Sequence, residues 1–290
     1  MQKNVFQKTV WHYYKKHGRS LPWRPPTLKL RGVNTAYKIL VSEVMLQQTQ
    51  VDRILPKYKL FVKKFKSFEE LAKATTSDVI KEWQGLGYNR RALNLKRAAE
   101  VVVKEHKGKL PRDYDQLVDL PSIGPYTAGA LLTFIWNEPM VCIETNIRTV
   151  YLHHFFKDKK GISDKTLENL LAETLDATNP REWYYALMDY GSYLKKTIGN
   201  PNTKSKHYTK QSKFKGSNRE LRGTILRLLS KSPATEKKII AETKRKSIEV
   251  RQVLQTLIKE GFISKTKTFF ELMYLEKKKV SYISWSPNTD

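Results

Sequence analysis

Cysteine is almost missing from this chain of 290 residues: Cys142 stands alone. One thiol excludes an intramolecular disulfide, a multi-thiolate zinc site and a cysteine-held iron–sulfur cluster. Acid is scarce as well, with 28 Asp and Glu against 54 Lys and Arg, a formal charge of +26. That excess argues against an acidic soluble partner and for a polyanion, nucleic acid first and anionic membrane second. No apolar run approaches the roughly 18 residues of a spanning helix. The stretch MQKNVFQKTVWHYYKKHGRS holds no signal-peptide apolar core. A soluble, intracellular protein without a membrane partner is expected. The 6 histidines do not fall into metal-ligand spacing. His153 and His154 are adjacent, so on a helix they point about 100° apart and serve structure or surface rather than a metal. With 40% hydrophobic and 11% aromatic residues, the chain is a folded protein and not a basic disordered tail.

Apolar residues recur at helical spacing almost throughout. Residues 37–50 (YKILVSEVMLQQTQ) place Ile39, Val41, Val44 and Met45 near one stripe, with Glu43 and Gln47 one turn apart on a neighbouring one. Residues 89–106 repeat the pattern with Leu93, Leu95, Ala98, Val101 and Val102, and carry Arg90, Arg91, Lys96 and Arg97 on the remaining surface. Further helices are predicted at 3–16, 51–65, 68–82, 126–136, 145–156, 163–176 and 179–195, and strand-like alternation is absent before residue 260. The body reads as all-α.

Residues 195–216 change character. From Lys195 to Lys215 there are seven lysines, no acid and few aliphatic side chains, too little for a core. The stretch is either a solvated linker or a basic arm laid over a polyanion, and Tyr208 and Phe214 favour contact. Residues 217–290 form a second unit. Leu226, Leu228 and Leu229 precede a cap at Ser232 or Thr235 for a helix with Ile239 and Ile240. Residues 247–260 make an amphipathic helix stopped by Gly261, and GFISKTKTFFELMYL reads as two strands around a Lys-rich turn. Three helices and a β-wing describe a winged helix-turn-helix, which either reads the major groove or contacts another protein.

Residues 114–136 (YDQLVDLPSIGPYTAGALLTFIW) carry the first chemical signal. A helix ends in the hairpin Leu120–Gly124, and a second opens at Pro125, a residue suited to a first turn. Gly124 is expected to supply the unusual backbone angles that turn successive N–H groups toward a phosphate. The pattern LPxxGxxTA is a helix-hairpin-helix, which grips the DNA backbone without reading sequence. Just downstream, the loop NEPMVCIE delivers Glu144 to the start of a helix opening Thr145-Asn146-Ile147-Arg148.

Hairpin, loop and acid together resemble the helix-hairpin-helix superfamily of DNA base-excision glycosylases. LPWR at 21–24, SEVMLQQTQV at 42–51, WQGLGYNRRALNLKRAA at 83–99 and LPSIGPYTAGALL at 120–132 are similar, in order and spacing, to the MutY-like adenine DNA glycosylases over about residues 8–194. The resemblance implies a two-lobed helix-hairpin-helix glycosylase domain over 1–194, ahead of the basic segment 195–216 and the winged-helix-like domain 217–290 read from the residues themselves. It implies a monomer that flips a mispaired base from double-stranded DNA and hydrolyses its N-glycosidic bond, the base being adenine opposite 8-oxoguanine or guanine. Glu43 then matches the general acid that protonates adenine at N7, for which it should sit in an apolar pocket with a raised pKa. Glu144 matches the acid that stabilises the oxocarbenium-like sugar, and Tyr126 stands where bifunctional relatives carry a Schiff-base lysine, so no strand cleavage follows. Gln47, Gln48, Thr49 and Tyr88 belong to the surface that enters the duplex, and Pro121, Ser122, Ile123, Gly124, Tyr126 and Thr127 to the DNA-gripping hairpin. The hairpin carbonyls of 120–124 offer a monovalent cation site; no other metal and no cofactor is expected.

Three features depart from that family. Glu144 stands in place of an aspartate, and its extra methylene moves the carboxylate by about 1 Å. Lys195 stands where the first of four cluster-binding cysteines would fall, and the lysines of 195–215 are expected to present positive charge in the cluster loop's place. Residues 217–290 are too few for the family's Nudix-like domain. Two alternatives stay open: removal of thymine or uracil from mismatches with guanine, where Tyr126 also occurs, and a catalytically silent binder of distorted DNA.

Overall fold

A computed structural model describes residues 2–24, 33–206, 208–210 and 213–273, and the end of the predicted wing, from residue 274, lies outside the described residues. The chain divides into two compact units, one built from the chain up to Ala72 together with Arg90–Lys213, the other from Lys73–Asn89 together with the chain from Phe214 onward. The fold is mostly helical, as the periodicity predicts.

In the first unit, α1 (Lys3–His17), α2 (Val33–Leu46), α3 (Val51–Lys64) and α4 (Phe68–Lys73) precede the excursion to the second unit. After it come α6 (Arg90–Glu105), α7 (Tyr114–Val118), α8 (Pro125–Trp136), α9 (Thr145–Phe155), α10 (Asp164–Thr174) and α11 (Pro180–Thr197). Two helices are buried on every side: α2 from Ile39 through Met45, and α8 from Thr127 through Phe134. A helix without a polar face belongs in the interior, and these two pack on each other. Around them α11 packs against α9 and α1. Phe6 sits 5.2 Å from Tyr151 and meets Trp183 edge-on at 6.0 Å. Gly191 lets α11 close on the first turn of α9, since a Cβ there would lie 2.1 Å from the Asn146 carbonyl oxygen.

Helix α2 begins four residues earlier than the predicted 37 and ends at Leu46, so Gln47–Thr49 form a turn with Gln48 at φ 54°. The stop is imposed from outside. Arg91 is 8% exposed, and its Nη1 donates to the carbonyls of Val44 and Met45 at 2.9 Å each and to that of Gln47 at 2.5 Å. Those are the unsatisfied acceptors of a helix C-terminus, where a cation is favoured twice over. Arg91 and Lys96, assigned to the surface from their charge, are thus interior residues; Lys96 is 7% exposed and donates to the Ala72 carbonyl at 3.2 Å.

The segment after α11 is built onto this unit. Pro201–Lys204 form a 3-10 turn, Asn202 is buried and donates to Thr149 Oγ1 at 2.8 Å, and Ser205 pairs as a parallel bridge with Ile162. Residues 195–206 are therefore structured, and the exposed lysines from 206 onward are Lys206, Lys210, Lys213 and Lys215.

The second unit comprises α5 (Thr76–Trp83) with its following loop, then α12 (Asn218–Leu229), α13 (Glu236–Thr243), α14 (Ser247–Lys259) and the hairpin β1 (Ile263–Lys265) and β2 (Phe270–Leu272). The strands are antiparallel with Ser264 opposite Glu271, and Ala234 bridges to Phe270. Helix α12 packs on α13, α14 and β2, with Ile225, Leu257 and Phe262 fully buried. Thr235 caps α13 by accepting from Lys238 N at 3.3 Å, and Gly261 at φ 80° follows the end of α14. Lys73–Asn89 read in sequence as part of the first domain; the structure groups them with these helices.

Candidate active site

Helix α2, the start of α8 and the start of α9 bring three chemical groups into mutual electrostatic range: Glu43, Tyr126 and Glu144. Glu43 is 9% exposed on the buried α2 and makes no hydrogen bond among the described residues. Burial pushes its carboxyl up to about 8, the negative charge of Glu144 adds to the push, and Arg24 opposes it. Arg24 itself is committed elsewhere. Its Nη1 bonds both oxygens of the buried Asp189 at 2.9 and 3.0 Å, and its guanidinium lies 4.4 Å over the Tyr185 ring. Its charge thus reaches Glu43 without neutralising it.

Glu144 is the N-cap of α9. One oxygen, Oε1, accepts from the backbone N–H groups of Asn146 and Ile147 at 2.7 and 2.8 Å, and Oε2 from Asn146 Nδ2 at 3.3 Å. Burial raises this carboxyl too, but the two N–H bonds and then Lys195 and Arg148 hold it back. The helix N-terminus favours the anion. Glu43 lacks such donors, so burial raises it without the opposing hydrogen bonds that Glu144 receives. Tyr126 is raised well above the ordinary phenol range, by burial first and then by the two carboxylates, and stays neutral. Cys142 lies beside this group. Burial pushes its thiol up to about 12, with its backbone N–H donating to Tyr184 Oη at 3.1 Å.

The loop that carries Glu144 is pinned at its start. Asn137, at φ 62°, ends α8, and Arg181 donates to the carbonyls of Phe134 and Ile135 at 2.7 and 3.1 Å. The hairpin before α8 turns at Ser122, with φ 73°, and not at Gly124, whose φ of −90° is ordinary. Gly124 faces open space, with no atom within 4 Å of a Cβ placed there. As N-cap ahead of Pro125 it leaves the first N–H groups of α8 without a side-chain partner and open on the exposed side. Pro121, Ser122 and Gly124 reach solvent, whereas Ile123 and Thr127 are buried in the hairpin's packing.

Gln47 ties α2 to this hairpin, its Nε2 donating to the Ser122 carbonyl at 3.3 Å and lying 3.5 Å from Thr127 Oγ1. Thr49 accepts from Arg91 Nη2 at 3.0 Å. Gln48 alone of the three projects, exposed and left-handed. Tyr88 belongs to the second unit. His154 is half-buried, meets Tyr190 Oη at 3.0 Å, and is pushed down to about 4 by burial and by His153. Among the described residues no three His, Cys, Asp or Glu side chains form a metal-sized cluster.

The HhH-GPD superfamily of base excision DNA repair proteins matches residues 41–176. The adenine DNA glycosylase of Mycolicibacterium smegmatis (strain ATCC 700084 / mc(2)155) is 30% identical over 274 residues, 88% of this chain and 91% of that protein. The chain belongs to the adenine DNA glycosylase family. That share of the chain cannot be reached without part of the C-terminal unit, so the likeness extends past the glycosylase core. Another adenine DNA glycosylase, from Buchnera aphidicola subsp. Baizongia pistaciae (strain Bp), is 33% identical over 66% of this chain and 53% of its own length. The chain spans about half the length of several such relatives. Among solved structures a thermostable thymine-DNA glycosylase superposes with a TM-score of 0.56 at 25% identity, over 66% of this chain and 86% of that one. A non-covalent endonuclease III–DNA complex gives 0.55 at 17% identity, over 68% of this chain and 89% of the other, and speaks for the fold alone.

Three residues of this family member escaped the sequence reading of the site: Arg91, Arg24 and Lys195. Arg24 carried a signal, in LPWR at 21–24. Arg91 lies in WQGLGYNRRALNLKRAA at 83–99 and Lys195 at the first cysteine position, but their partners on α2 and at Glu144 are far along the chain.

Proposed function

We propose that this chain removes adenine from mispairs with guanine or 8-oxoguanine in double-stranded DNA, as a monomer and without cutting the strand. The observation that carries this reading is the buried carboxyl of Glu43, raised to about 8 and set beside a capped, charge-stabilised Glu144. Once the adenine is flipped out of the duplex, the Glu43 proton passes to its N7 as the C1′–N9 bond breaks. The bond's electron pair leaves with adenine, which departs neutral. The cationic sugar faces the Glu144 carboxylate, a charge stabilised in place before the reaction and not recruited during it. Water adds to C1′ and its proton restores Glu43. Tyr126 is a phenol where a Schiff-base lysine would stand, so an abasic site is the product.

The open N–H groups of α8 and the bare Cα of Gly124 suit a phosphate oxygen. Gln48 and Tyr88 are read as the residues that enter the duplex. The three helices and hairpin after residue 217 serve as a winged helix, with Arg251, Gln252 and Gln255 exposed on α14 for DNA. The site works without an iron–sulfur cluster. The single thiol is the buried Cys142, and Lys195 is drawn toward Glu144 electrostatically.

Single-turnover base release tests the reading, from duplexes with A opposite 8-oxoguanine, A opposite G, T opposite G and U opposite G, with and without alkali. Strand breaks confined to the adenine duplexes and appearing only after alkali support it. Release of T or U, breaks without alkali, or full activity in Glu43→Gln would each overturn it.

A further inference from the structure

The loop after α5 is held in an uncommon shape. Gly85 and Gly87 take φ of 90° and 72°, and Tyr88 takes φ 47°. Glycine adopts that region freely, but a tyrosine there is kept only by its surroundings. The Trp83 indole donates to the Gly87 carbonyl at 3.1 Å and closes the loop from within. A second hold comes from α12, where Arg219 lies 131 residues further along the chain than Tyr88. Arg219, in its first turn, donates from Nη1 to Tyr88 Oη at 2.9 Å and lies 5.8 Å from the centre of the Tyr88 ring. At the other end of the helix the C-cap Ser230 meets Gln84 Nε2 at 2.5 Å and is itself fixed by donating to the Arg227 carbonyl at 2.8 Å. One helix of the C-terminal unit therefore grips the loop at both ends. A guanidinium that meets both the hydroxyl and the face of one ring sets the ring's direction, which a flexible point charge such as lysine does not.

We propose that Arg219 is a positioning residue for Tyr88, and that α12 holds residues 84–88 in the shape in which the tyrosine enters DNA. The inference rests on the reading of Tyr88 as a residue that enters the duplex. It gives the C-terminal unit a part in mispair recognition that needs no base contact of its own.

The test is a double-substitution cycle on the full chain with Tyr88→Phe and Arg219→Met, singly and together. The readouts are single-turnover kcat and KM for A opposite G, and the fluorescence of 2-aminopurine placed beside the mispair. Each single change should lower kcat/KM about tenfold, the worth of one hydrogen bond from a charged donor. The double variant should be no worse than either, and all three should dim the 2-aminopurine signal of unstacking at an unchanged melting temperature. Arg219→Lys should fail to restore the wild-type values. Losses that multiply in the double variant, full rescue by lysine, or an unchanged Arg219→Met would overturn the proposal, because Arg219 would then act on DNA by charge alone or not at all. Wild-type rates in Tyr88→Ala would instead remove the reading beneath it, and the inference with it.

Discussion

Replacing Glu43 by Gln should cost the protein its activity and make it more stable, and the gain should depend on pH. The folded carboxyl titrates near 8 because of burial and the neighbouring Glu144, whereas an exposed glutamate titrates near 4.5. Below pH 4.5 the group is protonated in both folded and unfolded chains and costs nothing. Between there and about 8 the folded state holds a proton that the unfolded state has released, so stability falls as pH rises; above about 8 the loss is complete. The interval is about 3.5 pH units, and at 1.36 kcal/mol for each the full cost is about 5 kcal/mol. Water entering with the ionised group relieves part of that, so the expected gap is about 2–5 kcal/mol. Gln has the shape of the protonated acid and carries no charge, so it escapes this cost. Urea denaturation of both proteins at pH 5, 7 and 9 measures the gap, which should widen steadily from pH 5 to its full value at pH 9. The same proton sets the chemistry. Wild-type kcat/KM for adenine release should fall tenfold per pH unit above about 8 as the acid is lost. A gap independent of pH, or a variant less stable than wild type at pH 9, would show that Glu43 is ionised in the folded protein at neutral pH and would refute the assignment.

Four other expectations follow from the same geometry. Arg91→Met strips four acceptors on α2 and the following turn of their donor, and should destabilise the fold by about 3 kcal/mol or more by thermal melting. Lys195→Met removes a charge that lowers the Glu144 pKa, so the acidic limb of the pH–rate profile should move to higher pH while the basic limb stays. Glu144→Asp keeps a cap for the Asn146 and Ile147 N–H groups but draws the carboxylate back by about 1 Å, so stability should hold while the single-turnover rate drops about a hundredfold. Replacing the exposed Lys206, Lys210, Lys213 and Lys215 by Gln should flatten the plot of log Kd against log salt by up to about 0.9 for each phosphate no longer neutralised; an unchanged slope would show that this segment does not meet DNA.

Glu43 and Glu144, the residues proposed to act on the base, were legible through the family motifs that contain or adjoin them. Glu43 stands inside SEVMLQQTQ, and Glu144 directly precedes a helix start. Helix bounds written by periodicity alone also came close: α8 and α9 differ from expectation by a residue. The misplacements share one physical cause, a partner far along the chain. The pattern YKILVSEVMLQQTQ contains no stop, because the stop is Arg91, 47 residues from Val44. A charged side chain is assigned to solvent by default, and only the converging carbonyls of α2 make the interior the better place for it. Gly124 attracted the left-handed conformation because glycine adopts it freely, yet the hairpin takes that turn at Ser122 and leaves the glycine in ordinary extended backbone. Lys73–Asn89 join the C-terminal helices through interactions such as that of Arg219 with Tyr88, which no hydrophobic period encodes.

Glu144 shows how far a residue-type mismatch can be judged without its surroundings. Read against a family aspartate, the added methylene is a displacement of about 1 Å, enough to spoil a floppy group. In the structure both of its oxygens are engaged by the first turn of α9, at 2.7, 2.8 and 3.3 Å. The longer side chain folds back to cap its own helix, so the methylene is absorbed by the loop and the carboxylate is held in place. On the proposed function this position has to supply a fixed negative charge, and a glutamate immobilised by the first turn of α9 can supply one. The departure thus changes the length of the tether while the carboxylate stays held, and the rate of Glu144→Asp measures how closely the pocket has been fitted to the longer side chain.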